Sequence, residues 1–310
     1  MLDIKAARGD EVMLIDPSRP DSYRITLGTG TLKTILESSD GRAVCVDEGL
    51  RIWLRRPTLP DESCFGSEDL DTRRYQARVY RAAWKSLFSL PACWMNDALK
   101  SRALEVNKNL QAHIAAAVGL RTIPTLLTDD PEQFMEFVYS YQDGVALKSP
   151  VSWHRTDRES GSTMATYTRR LAVLEAMRLA PQVAHAPVIV QPYVEKLYEL
   201  RVTIIDLKVF ACRIDSQSSL QTSVDWRHYD LDNVRHEAIS LPDEVSRALQ
   251  QFMRRSGLRF AAIDMIVDRN GRHVFVEANP SGHYSWIESM TGMPISKAIA
   301  SWLTSPTSTD

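Results

Sequence analysis

Phe260-Ala261-Ala262-Ile263-Asp264-Met265-Ile266-Val267-Asp268, followed beyond Asn270-Gly271 by His273-Val274-Phe275-Val276-Glu277-Ala278-Asn279-Pro280, decides the fold. Two apolar runs of strand length around an Asn-Gly pair read as a β-hairpin. Glu277 and Asn279 are two residues apart in extended chain and so share a face. The hairpin can bring Asp264 onto that same face. Two carboxylates and an amide oxygen are hard oxygen ligands suited to Mg²⁺ beside nucleotide phosphates. Burying two acids among apolar neighbours without a cation costs free energy. The alternative, ordinary polar strand residues joined by salt bridges, is therefore the weaker reading.

Outward from the hairpin, strands are expected at Val188 to Gln191, Leu200 to Asp206 and Lys208 to Ser216, with helices at Asp243 to Ser256 and Pro294 to Leu303. Upstream, Leu70 to Leu90 reads as a helix with Tyr75, Val79, Ala83 and Leu87 spaced to pack, and Asn96 to Gly119 as a second helical region. Thr122 to Thr128 and Gly144 to Lys148 read as strands, and Asp129-Asp130-Pro131 caps the intervening helix to about Tyr141. Ser149 to Thr163 is polar with no apolar period and reads as a mobile loop. Near the start, Ala43 to Asp47 and Leu50 to Leu54 are expected strands. Leu2 to Arg8 reads as a helix ending at Gly9, ahead of a strand from Glu11 to Asp16. A helix leading straight into a strand suggests that the first strand of a βαβ unit lies upstream of residue 1. The order is α/β first and antiparallel-leaning α+β second.

The 310 residues suit two or three subdomains. Hydrophobic residues at 44%, charged residues at 25% and a net charge of -2 describe a soluble globular chain. That charge argues against nucleic-acid or anionic-membrane binding, and no apolar run is long enough to span a bilayer. Cys45, Cys64, Cys93 and Cys212 are widely spaced and fit reduced thiols in a cytoplasmic protein.

The Asp264 strand with Glu277-Ala278-Asn279-Pro280 and Ser281-Gly282 resembles the metal-binding hairpin of the ATP-grasp superfamily. Lys108 in Asn107-Lys108-Asn109-Leu110 and Lys148 in Leu147-Lys148-Ser149-Pro150 match the two lysines that hold ATP phosphates. Gln191-Pro192-Tyr193-Val194 resembles the hinge whose backbone reads adenine, and Glu199 the acid that accepts ribose hydroxyls. The resemblance implies a Rossmann-like N-terminal domain (1–95), a central lid subdomain (96–187, with loop 149–163) and a C-terminal antiparallel-sheet subdomain (188–310). Asn279 would serve both nucleotide and metal.

Within the superfamily, the chain looks most like the microviridin-type graspetide macrocyclases. Ile52-Trp53-Leu54-Arg55-Arg56-Pro57, Ile123-Pro124-Thr125-Leu126, Glu199-Leu200-Arg201-Val202, Ser216-Gln217 and Asp225-Trp226-Arg227 carry that likeness. It implies ATP with Mg²⁺ (Mn²⁺ as an allowed substitute) and a ribosomal precursor peptide as partner, and it allows a homodimer. Arg201 and Arg213 would meet the developing acyl-phosphate charge. Arg55, Arg56 and Arg227 would hold an acidic core peptide, with Asp225 open as a base. The leader would lie against Gln217 to Asp232 or the helical segment Arg158 to Leu179. The face of Leu171, Leu174, Met177 and Met164 is better explained as core. An intermolecular amino-acid ligase and a non-catalytic leader-binding partner are the competing readings.

Overall fold

The computed structural model describes residues 4–8, 11–151, 154–156, 163–219, 224 and 233–305, with backbone alone at 4–8, 11, 154–156 and 163–165. The chain divides into two units: Met1–Ser101 with Gly257–Phe260 and Ser296–Asp310, and Arg102–Ser256 with Ala261–Ile295.

The first unit opens with a hairpin of β1 (Ile4–Arg8) and β2 (Glu11–Ile15). A meander of β3 (Tyr23–Thr26), β4 (Ile35–Ser38) and β5 (Ala43–Cys45) follows. Then come β6 (Arg51–Trp53), α1 (Leu70–Leu87) and β7 (Cys93–Trp94). The first sheet has the order β2-β1-β6-β7, in which only β6 and β7 are parallel, so the Rossmann-like character expected here is confined to the β6–α1–β7 crossover. Residues 4 to 8 are strand, not the expected helix. A single short turn of helix is marginal in water, whereas pairing with β2 and β6 engages the backbone on both sides.

Met13, Ile15, Leu36, Ile52, Trp84 and Leu87 form the core of this unit. The packed stripe of α1 is Ala77, Trp84 and Leu87, while Tyr75 and Val79 are exposed, at 69% and 48%. The stripe is rotated from the expected one because the bulk of Trp84 sets which face turns inward.

Helix α2 (Ala98–Val106) crosses the boundary between the units, and the second unit continues with α3 (Lys108–Ala117). The expected single helical region is broken at Asn107, whose Oδ1 accepts the Leu110 amide at 2.9 Å and starts α3 afresh. Next come β8 (Leu126–Thr128), α4 (Pro131–Tyr139), β9 (Val145–Lys148), β10 (His154–Thr156), β11 (Thr163–Ala165), β12 (Arg169–Leu171), α5 (Val173–Val183) and β13 (Val188–Pro192). Asp130 caps α4 as the sequence indicates, accepting from the Glu132 amide at 2.8 Å. Strands β12-β9-β13-β8 make an antiparallel sheet, and Phe134, Val138, Val145, Leu171 and Val190 build its core beneath α4 and α5.

The segment expected as a loop contains β10, which pairs with β11. Its partner strand ends beyond the polar stretch, so the pairing left no trace in a window scanned for apolar period. Residues 157–162, including Arg158, Glu159 and Gly161, lie outside the described residues. In the segment expected as helical, Arg158 to Leu179, the described residues from 163 onward form two strands followed by a helix beginning at Val173. On α5 the buried residues are Ala176, Ala180 and Val183, whereas Leu174 and Met177 are exposed and are not core. Leu171 is buried, and the Met164 side chain lies outside the described residues.

The second sheet of this unit has the order β16-β15-β14-β17-β18, from β14 (Lys196–Ile205), β15 (Lys208–Ile214), β16 (His236–Ile239), β17 (Phe260–Asp268) and β18 (His273–Asn279). Helix α6 (Asp243–Ser256) buries Val245, Leu249, Phe252 and Met253, the spacing of one helical face. α7 (Ser285–Thr291) and α8 (Ile295–Thr304) complete the chain. Among the described residues no helix is long and apolar enough to cross a membrane.

Candidate active site

A cleft of about 390 Å³ opens in the second unit. Its walls carry Lys148 and Gln191 from the first of that unit's sheets, Tyr193 and Val194 from the following turn, and Lys196 and Glu199 from β14. Lys108 comes from α3, and Asp264, Glu277 and Asn279 from the β17–β18 hairpin.

The hairpin forms as the sequence indicates. Gly271 adopts φ +75°, and Asp268 Oδ1 accepts the Asn270 and Arg272 amides, both at 2.9 Å. The ladder pairs Asp264 with Glu277 and Ala262 with Asn279, so the three expected ligands share one face. The register slips between Asp264 and Met265, and Val276 is the extra residue on β18. A bulge at this point re-aims the strand just before its first ligand.

Each ligand is held by a neighbour. Asp264 Oδ1 accepts Arg201 Nη1 at 2.7 Å, and Glu277 Oε2 lies 3.0 Å from Lys108 Nζ. Asn279 Oδ1 accepts the Ser281 amide at 2.9 Å and has a second lone pair for a cation. Two anionic oxygens and a neutral one on a single face fit Mg²⁺. The cations beside them fit the phosphates of its nucleotide.

The helix that carries Lys108 is tied to β18 by a residue that sequence reasoning missed. Gln111, one helical turn along α3 and 1% exposed, donates to the Ala278 carbonyl at 2.9 Å and accepts the Ala278 amide at 2.8 Å. Its Nε2 also donates to the Leu104 carbonyl at 2.8 Å. The side-chain amide thus pairs with β18 between Glu277 and Asn279 as a strand would. A glutamine on a helix face carries no sequence signal for this.

On the opposite wall, Gln191 donates through Nε2 to Thr125 Oγ1 at 2.8 Å, and that hydroxyl donates to the Ile123 carbonyl at 2.8 Å. Because the Thr125 hydrogen is already used, the amide orientation is fixed and Oε1 is left as an acceptor. Oε1 is buried and has no hydrogen-bond partner among the described residues. An exocyclic amine is the kind of donor it lacks. The Tyr193 amide donates to the Gly144 carbonyl at 3.0 Å and is engaged within the protein. Arg170 stacks over the Tyr193 ring at 4.1 Å, and burial pushes the Tyr193 hydroxyl above the usual tyrosine range.

Arg201 pairs with Cys212 in the ladder and Arg213 with Leu200, so the two arginines leave opposite faces of the sheet. Arg201 reaches the ligand face. Arg213 stacks over Tyr198 at 4.2 Å and donates to Asp215 at 2.6 Å. Arg55 is 7% exposed and stacks against Trp53 and Phe260 in the first unit, while Arg56 beside it is exposed with φ 46°. Asp225, Trp226 and Arg227 lie outside the described residues. The four cysteines carry free thiols, and burial pushes the Cys212 thiol up to about 12, far from a reactive thiolate.

Gly282 closes the Asn279-Pro280-Ser281-Gly282 turn against Arg201. A Cβ there would lie 2.4 Å from Ala262 Cβ and 2.8 Å from Arg201 Nη2. Gly282→Ala is therefore expected to push Arg201 off Asp264 and off the His283 carbonyl, which it now reaches at 3.1 Å. The expected cost is about 1 to 3 kcal/mol of stability, with a tenfold or greater fall in nucleotide turnover. Thermal melting and an ADP-release assay read the two effects.

The same fold recurs in solved structures. The macrocyclase MdnC from Microcystis aeruginosa MRC, bound with precursor peptide MdnA, superposes with a TM-score of 0.77 at 24% identity, covering 93% of this chain and 89% of that one. The chain has the ATP-grasp fold. A RiPP-associated ATP-grasp ligase from Chryseobacterium gregarium, in complex with ADP and a leader and core peptide, gives 0.78 at 23% identity over 91% and 84%. Macrocyclase MdnB from Microcystis aeruginosa MRC gives 0.69 at 26% identity over 93% and 89%. No protein-family model and no curated protein matches the ATP-grasp chain.

Proposed function

We propose that the chain is an ATP-grasp ligase that activates carboxylates of a peptide and closes them onto hydroxyls or amines of the same peptide. The observation that carries the ligase reading is the convergence of Lys108, Lys148, Glu199 and the Asp264–Glu277–Asn279 face on one cleft. The peptide half is supported by the resemblance to MdnC and the Chryseobacterium enzyme, each solved with peptide.

In this reading Val194 and Gln191 receive the base, and Glu199 the ribose hydroxyls. Lys108 and Lys148 offset phosphate charge. Asp264, Glu277 and Asn279 would hold Mg²⁺, which supplies charge neutralisation at the transferring phosphoryl group. An Asp or Glu side chain of a ribosomal precursor takes the γ-phosphoryl group and ADP leaves. A Ser or Thr hydroxyl, or a Lys amine, then attacks the acyl carbon and releases phosphate. Arg201, fixed beside Asp264, is placed for the charge that develops, whereas Arg213, on the opposite face of the sheet and paired with Asp215, is the weaker candidate for it. Arg227, Arg56 and Arg55 are proposed for the acidic peptide, with Arg56 the better exposed of the last two, and Asp225 for the role of base toward the attacking hydroxyl. The exposed Leu174 and Met177 on α5 supply apolar surface for a leader segment.

Mass spectrometry of a co-expressed acidic, Thr/Ser-containing precursor tests the reading. Macrocyclisation is expected to remove one water mass per ring with stoichiometric ADP release. A gain of a residue mass would instead establish an intermolecular ligase, and nucleotide binding without any mass change would establish a leader-binding partner.

A further inference from the structure

Lys196 matched no motif, yet it is among the most enclosed cations of the cleft. Its side chain is 3% exposed and that of its partner Glu199 is 8% exposed. Its Nζ donates to Glu199 Oε1 and, at 3.0 Å, to the Val224 carbonyl, and all three residues line the cleft. The ladder with β15 begins at Glu199, so Lys196 lies in the part of β14 before it. Free of that pairing, a side chain three residues away can turn onto the Glu199 side.

A carboxylate enclosed to this degree takes up a proton unless an opposite charge sits beside it. The two protonation states differ in what they offer a ribose. An ionised carboxylate accepts from two hydroxyls; a protonated one loses part of that capacity and presents a donor instead. The Val224 carbonyl fixes where the ammonium sits, and the ammonium fixes the carboxylate.

We propose that Lys196 is a positioning residue that keeps Glu199 ionised and aimed at the ribose hydroxyls, setting the preference for ribonucleotides without touching the nucleotide. The proposal rests on the reading of Glu199 as the ribose acid. The rival role for a cleft cation is direct contact with phosphate, and the two predict different couplings.

The experiment measures dissociation constants of Mg·ATP and Mg·2′,3′-dideoxy-ATP for the full chain, Lys196→Met, Lys196→Arg, Glu199→Gln and the Lys196→Met/Glu199→Gln double variant. Lys196→Met is expected to weaken ATP by about tenfold or more while leaving dideoxy-ATP within about twofold, so that the preference collapses. Lys196→Arg restores part of it. On the Glu199→Gln background, where no buried carboxylate remains to be held, Lys196→Met costs less than about twofold. If Lys196→Met unfolds, the comparison of Glu199→Gln with the double variant still decides. Equal losses for both nucleotides, or an undiminished loss on the Glu199→Gln background, overturn the proposal in favour of phosphate contact. A wild-type chain that binds both nucleotides equally removes the ribose reading of Glu199 itself, and a preference that survives Lys196→Met removes only the role of Lys196.

Discussion

Glu277→Gln is expected to lower ATP-dependent turnover by about two to three orders of magnitude while leaving the melting temperature nearly unchanged. The substitution keeps the shape of the side chain and its ability to accept from Lys108. It removes one of the two formal charges on the ligand face. Glu277 and Lys108 are each 28% exposed, so their ion pair contributes only about 0 to 1 kcal/mol to folding. Asp264→Asn is expected to abolish turnover equally but to destabilise as well, by up to about 3 kcal/mol. The reason is that Arg201, 7% exposed, would face a neutral partner. Phosphate or ADP release measured beside melting curves separates the two variants. Undiminished peptide modification in the Asp264→Asn/Glu277→Gln double variant would sink the catalytic reading altogether.

Gln111→Leu should cause the largest loss of stability of any single change near the cleft, about 3 to 5 kcal/mol in all. Leucine fills similar space but leaves the Ala278 amide, the Ala278 carbonyl and the Leu104 carbonyl without the partner they have now. A fall in melting temperature on the order of 10 °C follows. Gln111→Glu distinguishes the cause: the carboxylate can accept the Ala278 amide but cannot donate to either carbonyl. Two-sided pairing predicts that it is nearly as harmful as leucine, whereas a role in filling space predicts that it is mild. Because Lys108 lies on the same helix one turn earlier, turnover in the leucine variant is expected to fall beyond what the folded fraction accounts for.

The hairpin was legible in the sequence because its chemistry is local. The Asn270-Gly271 turn and the spacing of Glu277 and Asn279 need only period-two alternation to be read. Lys108, Lys148 and Glu199 were singled out by resemblance alone, since no local rule separates such lysines from surface ones; the fold brings all three to one cleft. What escaped is what depends on distant partners. Gln111 acts 167 residues away on Ala278, and the Thr125–Gln191 contact spans 66 positions. The strand at Ile4–Arg8 was misread because its partners, β2 and β6, overrule a weak helical preference. The α1 stripe was misplaced by taking Tyr75 and Val79 as inward, when exposed aromatic and aliphatic residues are common on a helix.

The pairing of Gln111 with Ala278 also bears on how a peptide can be gripped. Strand β18 ends its sheet, and an outer strand ordinarily offers its backbone to a visiting extended chain. Here the Ala278 amide and carbonyl are occupied by a helix side chain, and the Phe275 amide donates to the Arg121 carbonyl at 2.8 Å. That margin is closed to strand addition from within. A substrate that extends this sheet would have to approach from β16 at the opposite margin, away from the strand that carries Glu277 and Asn279.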